Sequence, residues 1–477
     1  MLRACRLAAI AFVSTLALGC GESDIDGPRP RSEAATTAGT GGGGGGPAPT
    51  PAVEIRQPGT GALLSEALWG EPFEVHVVGL GPGATTIVRG QLPNYRSEAT
   101  FVADDAGEID TAVQAPLDGT YDEADADGLV WSMRIVDAGD TAVHDLSVVA
   151  FEAEVDGAVV ASASLTRYRQ AQGVEVGTID DEAIVGVYYT PPGPGPHPAI
   201  LVFGGSEGGT SYVEKRAPYL ASLGYATLGV GYFAASGLPK NLGKVPLEYF
   251  GHALDWLGAR PEVDPARVAV MGGSRGGELA LLLGATFPDR IAAVVALVPS
   301  GLRWPGFDGV GTAAAWTLDG DPLGYMTKYG TGKNVIGPGG EKLYASTPAF
   351  EQGVALSTAD ELAAATTLVE ATQAPILMVG GGDDQLWPSC QLSQVAVDRL
   401  TAAQHAATWA DDYVCYPGSG HFVSSLPGVP TTDQYKSYHP VFKKWFALGG
   451  EPRSQAHAQR DLVERLKAFL GAALAPR

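Results

Sequence analysis

The spacing of apolar residues changes character along the chain, and each change marks a boundary. From Val53 to about residue 170, runs such as Phe73–Val78 and Val148–Val155 alternate apolar and polar positions between turns of Gly, Asp and Pro. A period near two, sustained over short segments with turn residues between them, predicts a β-sandwich domain over residues 53–170. From residue 173 to 477 the pattern is different. Short strands that are apolar on both faces (Pro198–Phe203, Ala226–Val230, Val268–Met271, Ala292–Leu297, Ile376–Val379) alternate with stretches of helical spacing at 215–223, 246–257, 278–287 and 461–474. Such alternation predicts an α/β domain built on a parallel sheet with crossover helices.

The first twenty residues carry Arg3 and Arg6 ahead of an apolar run that ends at Leu18-Gly19-Cys20, the layout of a secretory signal. Export to the periplasm or cell surface is therefore expected. Cys20 stands where a bacterial lipoprotein carries its acylated cysteine, which would tie the protein to a membrane. Ala17 and Leu18 depart from the usual residues before such a cysteine, and an ordinary cleaved signal is the alternative. Residues 21–52, with six consecutive glycines at 41–46, read as a flexible tether. No later segment has the run of about 20 apolar residues that a membrane helix requires.

Composition narrows the function. Of the 477 residues, 45% are hydrophobic and 18% charged, enough apolar material for two cores, and the formal charge of −22 is spread without a basic run. Nucleic-acid binding is thereby disfavoured. Cys20, Cys390 and Cys415 remain after the signal, too few for a zinc cluster. Cys390 and Cys415 can pair in an oxidising compartment, although Cys415 falls in a predicted strand where a free thiol is an ordinary core residue.

Gly272-Gly-Ser274-Arg-Gly276 fits G-x-S-x-G between a strand and an apolar helix, the setting of a nucleophile elbow. Glycines two before and two after the serine leave room for a strained turn that projects its hydroxyl. A serine needs a base, and the base needs an orienting acid, in the chain order Ser, acid, His. His421 follows a predicted strand inside the Gly-rich loop Tyr416–Phe422. Asp384 and Asp383 both lie in the loop after Val379, and spacing favours Asp384 without excluding its neighbour. The oxyanion requires fixed N–H donors: the amide of Arg275, and that of Gly205 or Ser206 in the loop Gly204-Gly-Ser-Glu-Gly-Gly209. No metal or bound cofactor is called for.

With these residues in place the chain resembles the acyl-CoA thioesterase and bile acid-CoA:amino acid N-acyltransferase family from about residue 53 onward. The resemblance is carried by Gly119-Thr-Tyr121, Gly128–Met133, Tyr232-Phe233, Leu238-Pro239, Leu247–Phe250 and above all by Gly449–Gln459. It implies an immunoglobulin-like sandwich before an α/β-hydrolase domain, and a triad of Ser274, Asp384 and His421. Family members with serine rather than cysteine as nucleophile are thioesterases, which implies hydrolysis of acyl-CoA to free acid and thiol. An export signal is foreign to mostly intracellular relatives, so two rivals stand beside this expectation. One is an exported ester or peptide hydrolase of dienelactone-hydrolase-like or prolyl-oligopeptidase-like type, and the other an inactive, surface-anchored binding protein.

Overall fold

A computed structural model describes residues 50–476 apart from 141, 143, 307–312 and 440–442. The signal segment 1–20, Cys20 and most of the tether 21–52 lie outside the described residues. The first strand opens at Ala52, just inside the stretch read as tether. Two compact units divide the described residues, one of 50–66 and 72–166, the other of 67–71 together with everything from Arg167 onward.

The first unit is β-rich. Ala52–Arg56, Glu74–Val78 and Ile109–Asp110 form a three-stranded antiparallel sheet. A second antiparallel sheet centres on Thr85–Leu92 between Tyr95–Val102 and Val148–Val155, with Ala158–Tyr168 beyond. The alternation read from sequence is visible as burial: Val88, Val149, Phe151 and Ala153 are fully enclosed while their neighbours face outward. Phe73, next to the first sheet, packs on Phe151 of the second with ring centroids 6.0 Å apart.

Residues 67–71 break the expectation of one continuous sandwich segment. Their anchor is Trp69, whose Nε1–H donates to the Pro427 carbonyl at 3.0 Å while the Arg167 guanidinium stacks 4.4 Å from its ring centre.

The second unit is organised by an eight-stranded sheet of β1 (Glu175–Gly177), β2 (Gly186–Thr190), β3 (His197–Phe203), β4 (Ala226–Val230), β5 (Val263–Gly273), β6 (Ala293–Leu297), β7 (Ile376–Gly381) and β8 (Asp412–Tyr416). Their spatial order is β1-β2-β4-β3-β5-β6-β7-β8, with β1 and β2 antiparallel to their neighbours and the rest parallel. The five strands expected from apolar runs are all present, and β5 begins five residues earlier than its apolar stretch.

Helices α1 (Ser211–Ser222) and α5 (Pro452–Ala473) pack on one face of the sheet. On the other lie α2 (Leu247–Gly258), α3 (Arg275–Thr286) and α4 (Ser389–Ala402). Alternate residues of one strand feed the two cores, as with Ile200 and Val202 against Leu201 and Phe203. This is the arrangement of an α/β hydrolase, and its parallel strands leave their carboxyl ends along one edge where loops can gather chemistry. The strand order and these two helical layers carry that assignment.

Two expectations are revised. Helix α5 starts nine residues before its apolar stripe, at Pro452, capped by Glu451, whose carboxylate accepts the amides of Arg453 and Ser454. Cys390 and Cys415 are joined in a disulfide, because the first turn of α4 lies directly over β8, with Cα atoms 5.7 Å apart. No described helix is long and apolar enough to cross a membrane.

Candidate active site

Ser274 occupies the single residue between β5 and α3, with φ 57° and ψ −121°. A side-chain-bearing residue pays for that conformation, so it must be held. Its amide donates to the Leu297 carbonyl on β6 at 2.9 Å, and its own carbonyl accepts the Glu278 amide as the first bond of α3. The flanking glycines are there for space. A Cβ on Gly272 would lie 2.3 Å from the Gly276 carbonyl oxygen, and one on Gly276 would lie 2.4 Å from that of Gly204. The motif is a steric requirement of the turn, and the geometry is that of a nucleophile elbow.

His421 and Asp384 meet across the ends of β7 and β8. The ring Nδ1 of His421 lies 2.8 Å from Asp384 Oδ2, both side chains being buried. The other carboxylate oxygen, Oδ1, accepts the amides of Leu386 and Trp387 at 3.0 and 3.2 Å, which fixes the acid's direction. Asp383 has a different duty: its carboxylate accepts the Gly450 amide at 2.8 Å at the protein surface. The geometry therefore pairs Asp384, and not its neighbour, with the imidazole.

The base loop is braced from the far end of the chain. The His421 amide donates to the Leu448 carbonyl at 2.9 Å, Gly420 donates to Gln455 Oε1 at 2.8 Å, and Gln459 donates to the Phe422 carbonyl at 2.8 Å. Gln455 and Gln459 are buried on the first turns of α5. The stretch Gly449–Gln459, which no general hydrolase rule demands, thus acts by holding the histidine.

Three amides are candidates to hold an oxyanion, those of Arg275, Gly205 and Ser206. Arg275 follows Ser274, and its amide has no acceptor among the described residues. Of the two candidates on the glycine loop, the Gly205 amide is already engaged, donating to Glu207 Oε1 at 2.7 Å, whereas the Ser206 amide has no acceptor among the described residues. Tyr232 pins the loop by donating its hydroxyl to the Gly204 and Gly205 carbonyls at 2.9 and 3.0 Å. Ser206 and Arg275 are consequently the open pair.

Two acidic residues escaped sequence reasoning. Glu207 reaches back over the loop, and a methyl group on Gly205 would stand 3.0 Å from its Oε2 and 3.1 Å from Ser274 Cβ. Its carboxyl is pushed above the usual range chiefly by burial, against the pull of the Gly205 amide and the charge of His421. Glu278 lies under the elbow. It accepts from Arg275 Nη1 at 2.8 Å, Trp316 Nε1 at 2.7 Å and the Trp304 amide at 3.2 Å, while Arg275 Nη2 donates to the Trp304 carbonyl at 2.8 Å. Burial raises this carboxyl too, and the Arg275 charge opposes the rise. The pair fixes the side chain of the residue that follows Ser274, and its only trace in the sequence is the i, i+3 spacing of opposite charges.

Two further histidines have structural partners. His405 bridges Asp411 and the Thr372 carbonyl through its two ring nitrogens, at 2.7 and 2.8 Å, and His252 pairs with Asp181 on the outside of α2. Among the described residues no group of His, Cys, Asp and Glu is arranged to hold a metal ion.

Comparison with known proteins agrees with this organisation. Residues 70–181 match the acyl-CoA thioester hydrolase/BAAT N-terminal region, and residues 245–305 and 347–476 match the BAAT/acyl-CoA thioester hydrolase C terminal. Acyl-coenzyme A thioesterase 5 of Mus musculus is 29% identical over 423 residues, covering 84% of this chain and 93% of the relative. Acyl-coenzyme A thioesterase 6 of the same species is 29% identical over 419 residues, with the same coverage. Among solved structures, an esterase of Pyrobaculum calidifontis is 18% identical with a TM-score of 0.36, covering 64% of this chain and 87% of that one. Both regions are found here in the family's order and together take in well over half of the sequence: the chain belongs to the acyl-CoA thioester hydrolase/BAAT family.

Proposed function

We propose that this protein hydrolyses acyl thioesters, acyl-CoA foremost, through a serine acyl-enzyme. The observation that carries the reading is the buried 2.8 Å contact of His421 with Asp384 at the sheet edge that also presents Ser274 on its strained turn. The imidazole takes the Ser274 proton as Oγ attacks the thioester carbon, and the amides of Arg275 and Ser206 hold the oxyanion. Collapse breaks the C–S bond, and the thiolate leaves with the proton from His421. Water then attacks the acyl-serine, giving its proton to His421, and Ser274 recovers that proton as the free acid departs. Serine as nucleophile favours water over an amine as the final acceptor, and the relatives named above are thioesterases. A panel of acyl-CoA, simple thioester, carboxylic ester and peptide substrates tests the reading. Turnover confined to esters or peptides overturns it, as does turnover by Ser274→Ala equal to the parent's.

We also propose that the chain is exported and lipid-anchored at Cys20. Support comes from Arg3, Arg6 and the apolar run before Cys20, and from a disulfide of a kind that persists in oxidising compartments. Fractionation of cells producing the parent and a Cys20→Ala variant tests this: membrane association that survives the substitution counts against lipidation.

A further inference from the structure

A four-stranded sheet of Lys333–Ile336, Lys342–Ala345, Lys444–Ala447 and Lys436–His439 projects from the catalytic unit, in that spatial order. The whole chain has ten lysines against a formal charge of −22, yet each of these strands opens on one and none contains an acid. The first two strands fall in the stretch 306–346 that the family's C-terminal region leaves unmatched, and the other two fall inside the matched stretch 347–476.

Pairing of Tyr344 with Phe446 in parallel register sets Lys342 abreast of Lys444 on the Tyr344 face. The opposite face is the one that buries Leu343, Ala345 and Ala447. Both lysines are exposed, and Lys444 Nζ sits 3.7 Å above the Tyr344 ring. Like charges side by side on a sheet destabilise it. Lys436 is neutralised by Glu341, but no carboxylate pairs with Lys342 or Lys444 among the described residues. In so acidic a protein two adjacent, uncompensated lysines invite an anion from outside.

Their position relates them to the reaction. At its other end the Lys342 strand runs into Ser346 and Thr347, whose amides donate to the Gln385 carbonyl, and the Thr347 hydroxyl donates to the Asp384 carbonyl at 2.7 Å. The Lys444 strand runs into Leu448, which receives the His421 amide. Both lysines thus stand about 13 Å from the acid and base loops, at roughly 3.3 Å per residue of strand.

We infer that Lys342 and Lys444 form a subsite for the phosphorylated end of a long leaving group, a nucleoside 3′,5′-bisphosphate carried on an extended thiol arm. The inference rests on the thioesterase reading. A compact alcohol or short thiol would not span the distance, so the site discriminates among leaving groups and leaves the acyl group alone.

The test uses the full chain, a Lys342→Glu/Lys444→Glu double variant, and Lys240→Glu as a control for net charge. KM for a nucleotide-bearing acyl thioester should rise about tenfold or more with kcat unchanged, and added salt should mimic the loss. KM for the same acyl group on N-acetylcysteamine should not move. Calorimetry with adenosine 3′,5′-bisphosphate should show binding to the parent and to Lys240→Glu, and none to the double variant. Equal binding by parent and double variant overturns the subsite, as does an equal KM change for both thioesters. Lysine-dependent binding to phosphatidylglycerol vesicles without binding to the bisphosphate overturns it as well, by assigning the face to a membrane. Because calorimetry needs no turnover, a parent that hydrolyses no thioester would refute the proposed reaction alone.

Discussion

Asp383 and Asp384 are adjacent in the chain and point to opposite ends of the same brace: Asp384 meets His421 at 2.8 Å, and Asp383 meets the Gly450 amide at 2.8 Å. One orients the base and the other fastens the loop. Asp384→Asn should lower kcat about 10⁴-fold with little change in KM, because the amide favours the wrong imidazole tautomer. Asp383→Asn should retain activity within about tenfold and cost about 1 kcal/mol of stability, the price of a weakened surface hydrogen bond. Steady-state kinetics and thermal melts on the two variants check the assignment, and a reversal of their effects would refute it.

Ser274 adopts φ 57° without being glycine, so its conformation is held against a preference. Replacing it by glycine should stabilise the protein by about 1–3 kcal/mol while abolishing turnover. Ser274→Ala should abolish turnover with no such gain. Melting temperatures of the two variants side by side provide the check, and equal values would mean that the turn is unstrained.

Glu207 is partly buried beside the glycine loop, and desolvation raises its carboxyl. A carboxyl raised on folding binds its proton more tightly in the native state. Its favourable contribution is full below the ordinary carboxylate range and is lost as pH climbs through the raised value. Glu207→Gln removes that titration and keeps an acceptor for the Gly205 amide. The difference in melting temperature between Glu207→Gln and the parent should therefore grow in the variant's favour as pH rises from about 4 into the neutral range. A difference that stays flat across that range would show that Glu207 does not titrate abnormally.

Gln455 accepts the amide just before His421. Gln455→Ala should leave that donor buried and unpaired, costing about 1–3 kcal/mol. Activity should fall further than stability, because the imidazole loses its orientation. Comparing kcat with the urea midpoint separates the two effects.

The disulfide closes a loop of sequence separation 25. Chain-entropy arguments assign it about 3 kcal/mol, so a reducing agent should lower the unfolding midpoint of the parent and leave a Cys390→Ala/Cys415→Ala variant unmoved.

The elbow and the base were legible in sequence because each is announced by glycines that only a tight turn requires. Between Asp383 and Asp384 spacing only leans toward Asp384 and family resemblance does the rest, since successive residues of a loop point in different directions. The bracing role of Gln455 and Gln459 is not legible because periodicity counts apolar residues, and both glutamines are buried through polar contacts. For the same reason the apolar stripe marks α5 only from residue 461, although the helix begins at Pro452. Glu207 was hidden inside a glycine loop, where the course of the backbone decides what a carboxylate touches. The juxtaposition of Lys342 and Lys444 depends on a pairing between strands about a hundred residues apart.

The bond from His421 to the Leu448 carbonyl also orders events in time. Ser274 and the whole central sheet are specified before residue 417, but the loop that aims the base is clamped by Leu448, Gln455 and Gln459. During synthesis the nucleophile emerges long before the residues that make it dangerous. A nascent or truncated chain ending short of Leu448 would carry an elbow without an aimed histidine. Hydrolytic competence should therefore await the segment from Leu448 to Gln459, and a translation product cut short before it should be inert.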